Sequence, residues 1–521
     1  MATGVPAWVR DAVFYQVFPD RFASSPRVVK PGLLEDWDAP PTRLGFKGGD
    51  LLGLTERLDY LADLGISAIY LNPIFASPAN HRYHTYDYLH VDPMLGGDAA
   101  LHELLDAAHA RDMRVILDGV FNHSGRGFWP FHHVLEAGAS SPYRDWFHLN
   151  SEFLEAGRQL IPYPDVEQLT ALDDPAIRGL RTGLRSLAIL GYRGWWDLPA
   201  LPKLNTDNPQ MRAYLLEVAE RWIRFGADGW RLDVAAEIED VTFWQEFRQR
   251  VKGVNPDAYL VGEIWRVGPE WLAGDRFDAL MNYPMAEAIL GFAAGSHLDT
   301  GVVGQSFELA SQLRTLDGAG FGHRCQELLA AYDPEVVAAQ LGVLGSHDTP
   351  RIRTLCGGDL RSVELAFLLL FSLPGAPCIY YGDEIGMQGN QDPECRAAFP
   401  WQRPSDWEGG LRSLVQQLTG LRHREPALRD TGFRLLATDG GACAFLRTDP
   451  ARPVLGVINA GEADATLSLP DDMPAFSSLV PAIEVGHAAV DTSALSADAA
   501  VLHVPARSGS LLSSGLPGSP A

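Results

Sequence analysis

Short apolar segments rich in Val, Ile and Tyr alternate with amphipathic helical patterns over roughly 400 of the 521 residues of this chain. This alternation predicts a parallel β-sheet whose strands are joined by crossover helices. The pattern predicts eight strands, at residues 12–19, 68–75, 115–122, 229–234, 259–265, 280–285, 343–347 and 378–382. Eight strand–helix units favour a (β/α)8 TIM barrel over an open, doubly wound sheet.

Three of the intervening helices have recognisable first residues. Asp50 and Asp98 are predicted N-caps, since each precedes leucines spaced along one helical face, and Gly65 should end the first of these helices. Asn208 and Pro209 predict a third helix with proline at its first position.

Two stretches interrupt the alternation. Residues 124–205 are irregular and rich in Gly, Pro, Trp and Tyr, and a structureless loop of that length would be unusual in a compact domain. We therefore predict a subdomain inserted after strand 3. From residue 429, short β-like segments predict a C-terminal antiparallel β-sandwich. The predicted domains are a barrel over 1–123 and 206–428, a subdomain over 124–205 and a C-terminal domain over 429–521.

Charge and cysteine content exclude several classes of partner and site. The chain has 42 Lys and Arg against 66 Asp and Glu, a net charge of −24 that disfavours nucleic acid or an anionic membrane. No signal peptide or membrane-spanning apolar run is recognisable. The five cysteines form no CxxC pair, which predicts reduced thiols in the cytoplasm rather than disulfides or a zinc site.

Three carboxylates follow three different predicted strands. Asp233, Glu263 and Asp348 come at the ends of strands 4, 5 and 7, and the carboxyl ends of barrel strands form the usual site for catalysis. A single Asp after a strand is most often a helix N-cap. Three carboxylates converging on one barrel mouth, with Arg231 among them, instead indicate chemistry.

Glycosidic bond cleavage needs such a set of groups. One carboxylic acid protonates the leaving oxygen, while an ionised carboxylate faces the anomeric carbon of an oxocarbenium-like transition state. An adjacent guanidinium favours the ionised nucleophile, and neighbouring carboxylates raise the pKa of the acid. Arg231 would be such a guanidinium beside the carboxylates.

The same segments resemble a known family. DGVFNH, GWRLDVAAE, GEIW and GSHDTPR resemble the four core motifs of the α-amylase superfamily of retaining glycoside hydrolases, in the family's order. LPKLN resembles the fifth motif of the neopullulanase and cyclomaltodextrinase branch. With FYQVFPDRF and YYGDEIGM, the resemblance covers residues 8 to 425 and implies the same barrel, inserted subdomain and C-terminal β domain.

The resemblance also implies roles for individual residues. Asp233 would be the nucleophile, Glu263 the acid and then base, and Asp348 a ligand of the distorted sugar's hydroxyls. The residues expected to bind substrate are Tyr83 by stacking, His123 and His347 by hydrogen bonds, Arg231 beside Asp233, and Glu237 and Trp265 on the leaving-group side. Arg231 would hold Asp233 ionised, and Asp118 would support Arg231 rather than react.

The resemblance bears on cofactors and assembly too. Family members commonly bind calcium near the first barrel loop, where Asp20, Gly49 and Asp50 are retained without the Asn- and Asp-rich run expected between them. We predict that no cofactor is required and leave calcium open. Branch members usually carry an N-terminal β domain used in dimerisation, whereas strand 1 is predicted near the start here, so we expect a monomer or weak dimer.

These features lead to three functional hypotheses. The first is hydrolysis of α-1,4-glucosidic bonds in maltooligosaccharides, cyclodextrins, pullulan or starch, with transglycosylation as a further activity. The second is an α-1,6-glucosidase or a trehalose-forming isomerase of the same superfamily, against which LPKLN argues, since those relatives usually carry QPDLN-like versions. The third is a non-catalytic barrel homologue, which should lack one of the three carboxylates.

Overall fold

Eight parallel strands form one sheet in the computed structural model, which describes residues 4–172, 183–306, 309–449, 452–470, 479–486, 495–496 and 499–514. In chain order the strands are β1 (Phe14–Val17), β2 (Ala68–Leu71), β3 (Arg114–Gly119), β4 (Gly229–Leu232), β5 (Tyr259–Gly262), β6 (Ala279–Leu280), β7 (Leu341–Gly342) and β8 (Ala376–Tyr380). Their spatial order is β6-β5-β4-β3-β2-β1-β8-β7. A parallel bridge between Met281 and Leu341 joins the two edges, so the sheet closes and the predicted TIM barrel is confirmed.

Side chains along each barrel strand alternate between two apolar clusters. Phe14, Ala68 and Tyr70 belong to an inner cluster with residues from β3, β5, β6, β7 and β8. Tyr15 and Ile69, one position along, pack outward into the main cluster with the helices. Burial on both faces explains why these strands are almost continuously apolar in the sequence.

Two strands lie earlier in the chain than predicted. The segment 280–285 was expected to be a strand, but β6 ends at Leu280 and the helix Tyr283–Ala294 follows. Asn282 caps that helix by accepting a hydrogen bond from the Met285 amide, and a proline follows Tyr283 within the first helical turn. The strand expected at 343–347 is β7, at Leu341–Gly342, and the residues after it form an irregular turn at the barrel mouth.

The helix starts were largely predicted correctly. Asp50 accepts a hydrogen bond from the Gly53 amide, and Asn208 accepts from two amides at the next helix start. The prediction for Asp98 is wrong, because this residue lies inside the first turn and accepts from the Val91 amide instead. The helices of the barrel region are Ala7–Asp11, Pro19–Phe22, Leu51–Thr55, Leu58–Asp63, Gly97–His109, Pro209–Phe225, Val241–Val254, Tyr283–Ala294, Thr300–Gln305, Gly318–Ala330, Pro334–Ala339, Ile352–Leu355, Leu360–Ser372, Gly409–Arg424 and Pro426–Arg429.

The segment 124–205 lies between β3 and the helix Pro209–Phe225 that leads to β4, and its described residues fold beside the barrel mouth. Its helices are Trp129–Ala137, Ser151–Glu155, Val166–Leu172 and Leu184–Leu190. Isolated antiparallel bridges connect its parts, and one of them pairs His123, just after β3, with Lys203, shortly before the helix that leads to β4. The two ends of the segment are therefore fastened together at the mouth. A short antiparallel pair, Phe75–Ala76 with Asp87–Val91, follows β2.

The C-terminal region consists of two antiparallel sheets. The first contains β9 (Phe433–Asp439), β10 (Ala442–Arg447), β11 (Val454–Asn459), β13 (Leu479–Val485) and β16 (Ser508–Ser514), and the second contains β12 (Ala465–Ser468), β14 (Leu495–Ser496) and β15 (Ala499–Val504). Leu455, Leu467 and Leu502 share an apolar cluster between them, as the predicted β-sandwich requires. None of the helices in the described ranges is long and apolar enough to cross a membrane.

Candidate active site

A single buried guanidinium organises the barrel mouth. Arg231 lies on β4, and its Nη1 is 2.8 Å from Asp118 Oδ1 and 2.9 Å from Asp233 Oδ1. Its Nη2 is 2.8 Å from Glu263 Oε1. Arg231 and Asp233 share one face of the strand because they are two residues apart. The two carboxylates predicted to react therefore belong to one cluster, although 30 positions of chain separate them.

The turn after β4 connects the same two carboxylates through the backbone. Val234 has a φ of 38°, in the left-handed region that is costly for a β-branched residue. In this conformation its amide donates a 2.9 Å hydrogen bond to Glu263 Oε2. Both oxygens of Glu263 are thus fixed, one by Arg231 and one by the strained turn.

Tyr83 is held rigidly beside this cluster. Its hydroxyl lies 2.8 Å from Asp118 Oδ2 and 2.6 Å from His347 Nε2, and it accepts a 3.0 Å hydrogen bond from Asn72. The Tyr83 and His347 rings are parallel, with centroids 5.3 Å apart. Tyr83 remains partly exposed, so its ring can offer an apolar face to a sugar.

Asp348 is the most exposed of the three carboxylates, with 31% of its side chain accessible. One oxygen lies 3.2 Å from His347 Nε2, and the other lies 3.1 Å from Arg396 Nη2. Arg396 also donates from Nε to the His347 carbonyl at 2.8 Å. Asp348 is thereby oriented toward the open side of the mouth, where hydroxyl groups can reach it.

The remaining predicted residues surround the cluster. His123 stacks on Trp195 at 4.8 Å, and Trp265 stacks on Tyr283 at 3.5 Å while its Nε1 donates to Glu263 Oε1 at 3.3 Å. Glu237 lies in the short turn after β4, and its carbonyl accepts a 2.7 Å hydrogen bond from Lys203 Nζ. The structure thus brings all nine predicted site residues to the mouth region.

Burial controls protonation in this cluster. Burial is the largest cause raising the pKa of Glu263, with Asp348 adding to it and Arg231 opposing it. Burial likewise raises the pKa of Asp118 to about 6, against the effect of Arg231. Burial lowers the pKa of His347 far below its ordinary value and that of His123 to about 3, so both rings are neutral donors or acceptors.

That Arg231 keeps Asp233 ionised stays a prediction, and the surroundings of Asp233 act in both directions. Arg231 does lower the pKa of Asp233, but burial and the negative charges of Glu263 and Asp118 outweigh it, so the pKa is raised in the free protein. One guanidinium cannot neutralise three buried carboxylates. The negative charge of Glu263 is among the causes that raise the pKa of Asp233, so the two carboxyls influence each other's protonation.

Sequence reasoning missed several residues that complete the site. Gln16 on β1 reaches both Asn72 Oδ1, at 3.1 Å, and His347 Nδ1, at 3.0 Å. Lys203 Nζ lies 2.6 Å from Asn122 Oδ1. A polar residue within an otherwise apolar barrel strand was the available signal for Gln16. Nothing comparable marked Arg396, which follows β8 by 16 residues.

The part of the chain that the structure describes contains no arranged metal site. Within the described ranges, no group of three or more His, Cys, Asp or Glu residues is arranged to hold an ion. Asp20 and Asp50, two of the residues retained at the family's calcium position, each contact a cationic side chain.

Comparisons with known proteins agree with this geometry. The family model described as "Alpha amylase, catalytic domain" matches residues 16–431. The chain is 43% identical over 471 residues to a cyclomaltodextrinase of Geobacillus thermopakistaniensis, covering 90% of this chain and 72% of the relative.

Two solved structures match nearly end to end. The Nostoc punctiforme debranching enzyme superposes with a TM-score of 0.84 at 44% identity, over 98% of this chain and 99% of the other. The cyclic α-maltosyl-(1→6)-maltose hydrolase of Arthrobacter globiformis superposes with a TM-score of 0.79 at 34% identity, over 98% and 99% of the two chains.

Proposed function

The chain belongs to the α-amylase family of glycoside hydrolases, and we propose that it cleaves α-glucosidic bonds of α-glucans with retention at the anomeric carbon. The observation that carries this proposal is the double contact of Arg231 with Asp233 and Glu263, 2.9 and 2.8 Å away. Two carboxyls joined in this way, with Asp348 nearby, can act on the same bond.

The first chemical step forms a covalent intermediate. Asp233 attacks the anomeric carbon, the bond to the leaving oxygen breaks, and that oxygen takes the proton of Glu263. Burial raises the pKa of Glu263, which favours the protonated acid that this step needs. Asp348 binds hydroxyls of the sugar ring, and Tyr83 supports its apolar face.

The second step releases the sugar. Glu263, now ionised, removes a proton from water, and the resulting oxygen attacks the anomeric carbon and displaces Asp233. A sugar hydroxyl in place of water gives transglycosylation. Both steps use carboxyl groups alone, so no cofactor is needed for the chemistry.

We propose α-1,4 bonds of short maltooligosaccharides, cyclodextrins, pullulan or starch as the principal substrates. The LPKLN segment and the similarity to a protein named cyclomaltodextrinase support this choice. In the structure Lys203 of that segment connects the inserted subdomain to the turns after β3 and β4. The segment therefore contributes to the shape of the cleft.

A second candidate is cleavage of α-1,6 bonds. Two of the structures that match this chain over nearly their whole length are named a debranching enzyme and a hydrolase of cyclic α-maltosyl-(1→6)-maltose. Full-length similarity includes the subdomain beside the cleft, which shapes substrate choice. The barrel alone does not distinguish the two linkages.

We retain the cytoplasm as the proposed location and a monomer or weak dimer as the proposed assembly. All five cysteines are buried and free, as expected for a reducing compartment. The α-glucan remains the proposed partner.

A parallel product analysis tests the proposal. The protein is incubated with β-cyclodextrin, pullulan, soluble starch, isomaltose and a 6-O-maltosyl oligosaccharide, and NMR follows the anomer first released. Release of the α-anomer supports retention. Faster ring opening of β-cyclodextrin favours the first candidate, and preferential cleavage of the 6-linked substrates favours the second.

The variant Glu263→Gln distinguishes loss of catalysis from loss of folding. It should reduce kcat by orders of magnitude while the melting temperature stays close to that of the wild type. Glu217→Gln, on the exposed face of the helix before β4, is the matched control and should keep full activity. If Glu263→Gln kept its activity, Glu263 would not be the acid, and the proposed function would be wrong.

A further inference from the structure

The loop after β1 contains a fully buried carboxylate, Asp50, whose contacts among the described residues do not include the reacting groups. Asp50 Oδ1 accepts a 2.7 Å hydrogen bond from the Gly53 amide, and Oδ2 accepts one of 2.9 Å from the Ser25 amide. Lys30 Nζ lies 2.6 Å from the same Oδ2. The exposed fractions of these two side chains are 0% for Asp50 and 8% for Lys30, so the ion pair is shielded from water.

Asp20 is a second buried carboxylate with cationic partners in the same loop. Its Oδ2 contacts Arg21 Nε at 2.7 Å and the Lys47 amide at 2.9 Å, and its Oδ1 accepts from the Gly48 amide at 3.2 Å. Arg82 Nη1 approaches that Oδ1 to 3.7 Å. Every described contact of both carboxylates is thus made by an N–H group or a cation.

The chain packs tightly around these two carboxylates. The Gly49 amide donates to the Asp20 carbonyl at 2.9 Å, and the Asp50 amide donates to the Ala23 carbonyl at 2.8 Å. A Cβ on Gly49 would lie 2.2 Å from the Pro19 carbonyl oxygen. The two segments 19–25 and 47–53 are therefore in backbone contact, with little room for an ion between them.

The donors do not fit the calcium that the family resemblance implies for this loop. Calcium needs about six to eight oxygen ligands, mostly carboxylates, carbonyls and waters. Residues 24–30 read Ser-Ser-Pro-Arg-Val-Val-Lys, which contains no carboxylate or amide side chain and two cationic ones. The positive charge that Asp50 needs is already supplied by the chain.

We propose that the Lys30 ammonium is a built-in cation at this loop, seated on Asp50, and that the loop is held in place without calcium. Lys30 Nζ also approaches the Val28 carbonyl at 3.5 Å, so the ammonium faces oxygens from two sides. A carboxylate without this partner would be buried and unpaired, which is strongly unfavourable.

The loop is connected to the active site through Arg21. Its Nη1 donates to the Arg396 carbonyl at 3.1 Å, and its own carbonyl accepts from the Phe399 amide at 2.8 Å. Arg396 in turn contacts Asp348. A loop fixed by covalently attached cations therefore supports the segment that orients Asp348 whatever the concentration of free calcium.

Thermal unfolding of the full chain tests this inference. The melting temperature of the wild type should be the same in EDTA and in millimolar calcium chloride. Lys30→Met should lower it by several degrees in both, because Asp50 loses its partner. A calcium-dependent shift in the wild type overturns the proposal, and so does a Lys30→Met protein as stable as the wild type.

A double-mutant cycle isolates the pair. Lys30→Met should cost much less in an Asp50→Asn background than in the wild type, because no carboxylate is then left unpaired. Equal costs in both backgrounds show that the ammonium acts through packing alone and overturn the ion-pair argument. Lys252→Met, which removes the ammonium from Asp278 on the opposite part of the barrel, is the control for loss of a partly buried lysine.

Lys30→Asp tests whether the ammonium occupies a place that suits a cation. It puts a second carboxylate beside Asp50, so its melting temperature should be low in EDTA and rise by several degrees on addition of calcium. Magnesium, which demands a stricter geometry, should restore less. A Lys30→Asp protein that does not respond to calcium contradicts the assignment of this place as a cation position.

Discussion

Two buried charge clusters in this protein differ in the balance of their charges. At the barrel mouth, Arg231 is the one guanidinium shared by Asp118, Asp233 and Glu263. In the first loop, Asp20 and Asp50 are matched by cations from Arg21, Lys30 and Arg82. Both clusters are shielded from water, so the difference lies in their charge balance.

The balance determines what each cluster can do. At the mouth, in addition to burial, Glu263 and Asp118 raise the pKa of Asp233, and Asp348 raises that of Glu263, which favours the protonated form that an acid needs. For Asp20, burial raises the pKa, but the neighbouring charges, from Arg82 and Arg21, act in the opposite direction. A deficit of positive charge supports acid–base chemistry, whereas matched charge supports a fixed loop.

Removing one cation from each cluster should give the largest contrast. Arg231→Met leaves three carboxylates unpaired, so we expect kcat/KM to fall on the order of 10³-fold or more, with a free energy of unfolding lower by about 3–5 kcal/mol. Lys30→Met should lose stability while kcat stays within about twofold of the wild type. The polar contacts of Lys30 among the described residues are with Asp50 and Val28 alone, and Arg21 still holds the segment that contacts Asp348. Steady-state kinetics and thermal unfolding of both variants measure this contrast. Similar activity losses in both would show that the clusters are not functionally distinct.

Asp118→Asn tests the charge deficit directly. It removes a negative charge that raises the pKa of Asp233 and frees Arg231 for its other partners, so the pKa of Asp233 should fall. The acid limb of the pH profile of kcat/KM, where the nucleophile becomes protonated, should therefore move to lower pH. We expect kcat to drop by up to about 100-fold, because Tyr83 also loses a partner.

Asp59→Asn is the control for this pH shift, since it removes a carboxylate whose side chain is 86% exposed and lies outside both clusters. Its acid limb should coincide with that of the wild type. An acid limb that moves to higher pH in Asp118→Asn would mean that Asp118 does not raise the pKa of the nucleophile.

The sequence predicted which residues lie together at the barrel mouth better than it predicted the balance of charge there. Strand ends bring Asp233, Glu263 and Asp348 to one mouth, and position along the chain is enough to anticipate that. The net effect on Asp233 depends on how deeply it is buried and on the positions of Asp118 and Glu263. Burial and distance are properties of the packed structure, which the motif GWRLDVAAE does not specify.

The same distinction explains which strand positions were predicted wrongly from the sequence. Strands β1 to β5 and β8 were predicted within a few residues because buried strands are continuously apolar. The apolar run after Ala279 continues into a fully buried helix, where periodicity cannot separate strand from helix. The capping of that helix by Asn282 was the local signal that could have placed the boundary.

Lys203 connects the inserted subdomain to the turns after β3 and β4, beside the carboxylate cluster, so its removal should give an intermediate effect. Its ammonium donates hydrogen bonds to Asn122 Oδ1 and the Glu237 carbonyl. Lys203→Met should therefore loosen the turns after β3 and β4 and raise KM roughly tenfold, with a smaller change in kcat.

The pH dependence of KM gives a second test of Lys203. Burial lowers the pKa of Lys203 to about 8, and the charged form makes these hydrogen bonds. In the wild type KM should therefore rise above about pH 8, and this rise should be absent from Lys203→Met. Lys203→Arg, which stays charged, should keep a low KM at alkaline pH; a KM that still rises there would assign the effect to another group.

Trp265→Phe should have the smallest effect and the most specific one. The indole Nε1 donates to Glu263 Oε1 at 3.3 Å and lowers the pKa of that carboxyl, while the ring stacks on Tyr283. Phenylalanine keeps the aromatic contact and removes the donor, so the pKa of Glu263 should rise and the alkaline limb of kcat/KM should move upward by less than about one pH unit. Trp37→Phe removes an indole donor from the Phe399 carbonyl near the first loop, where no reacting carboxyl is bonded, and should leave both limbs in place. Of the two indoles, that of Trp265 donates to Glu263 and that of Trp37 donates to the Phe399 carbonyl. An equal shift in the two variants would therefore show that the pH profile does not report hydrogen bonding to Glu263.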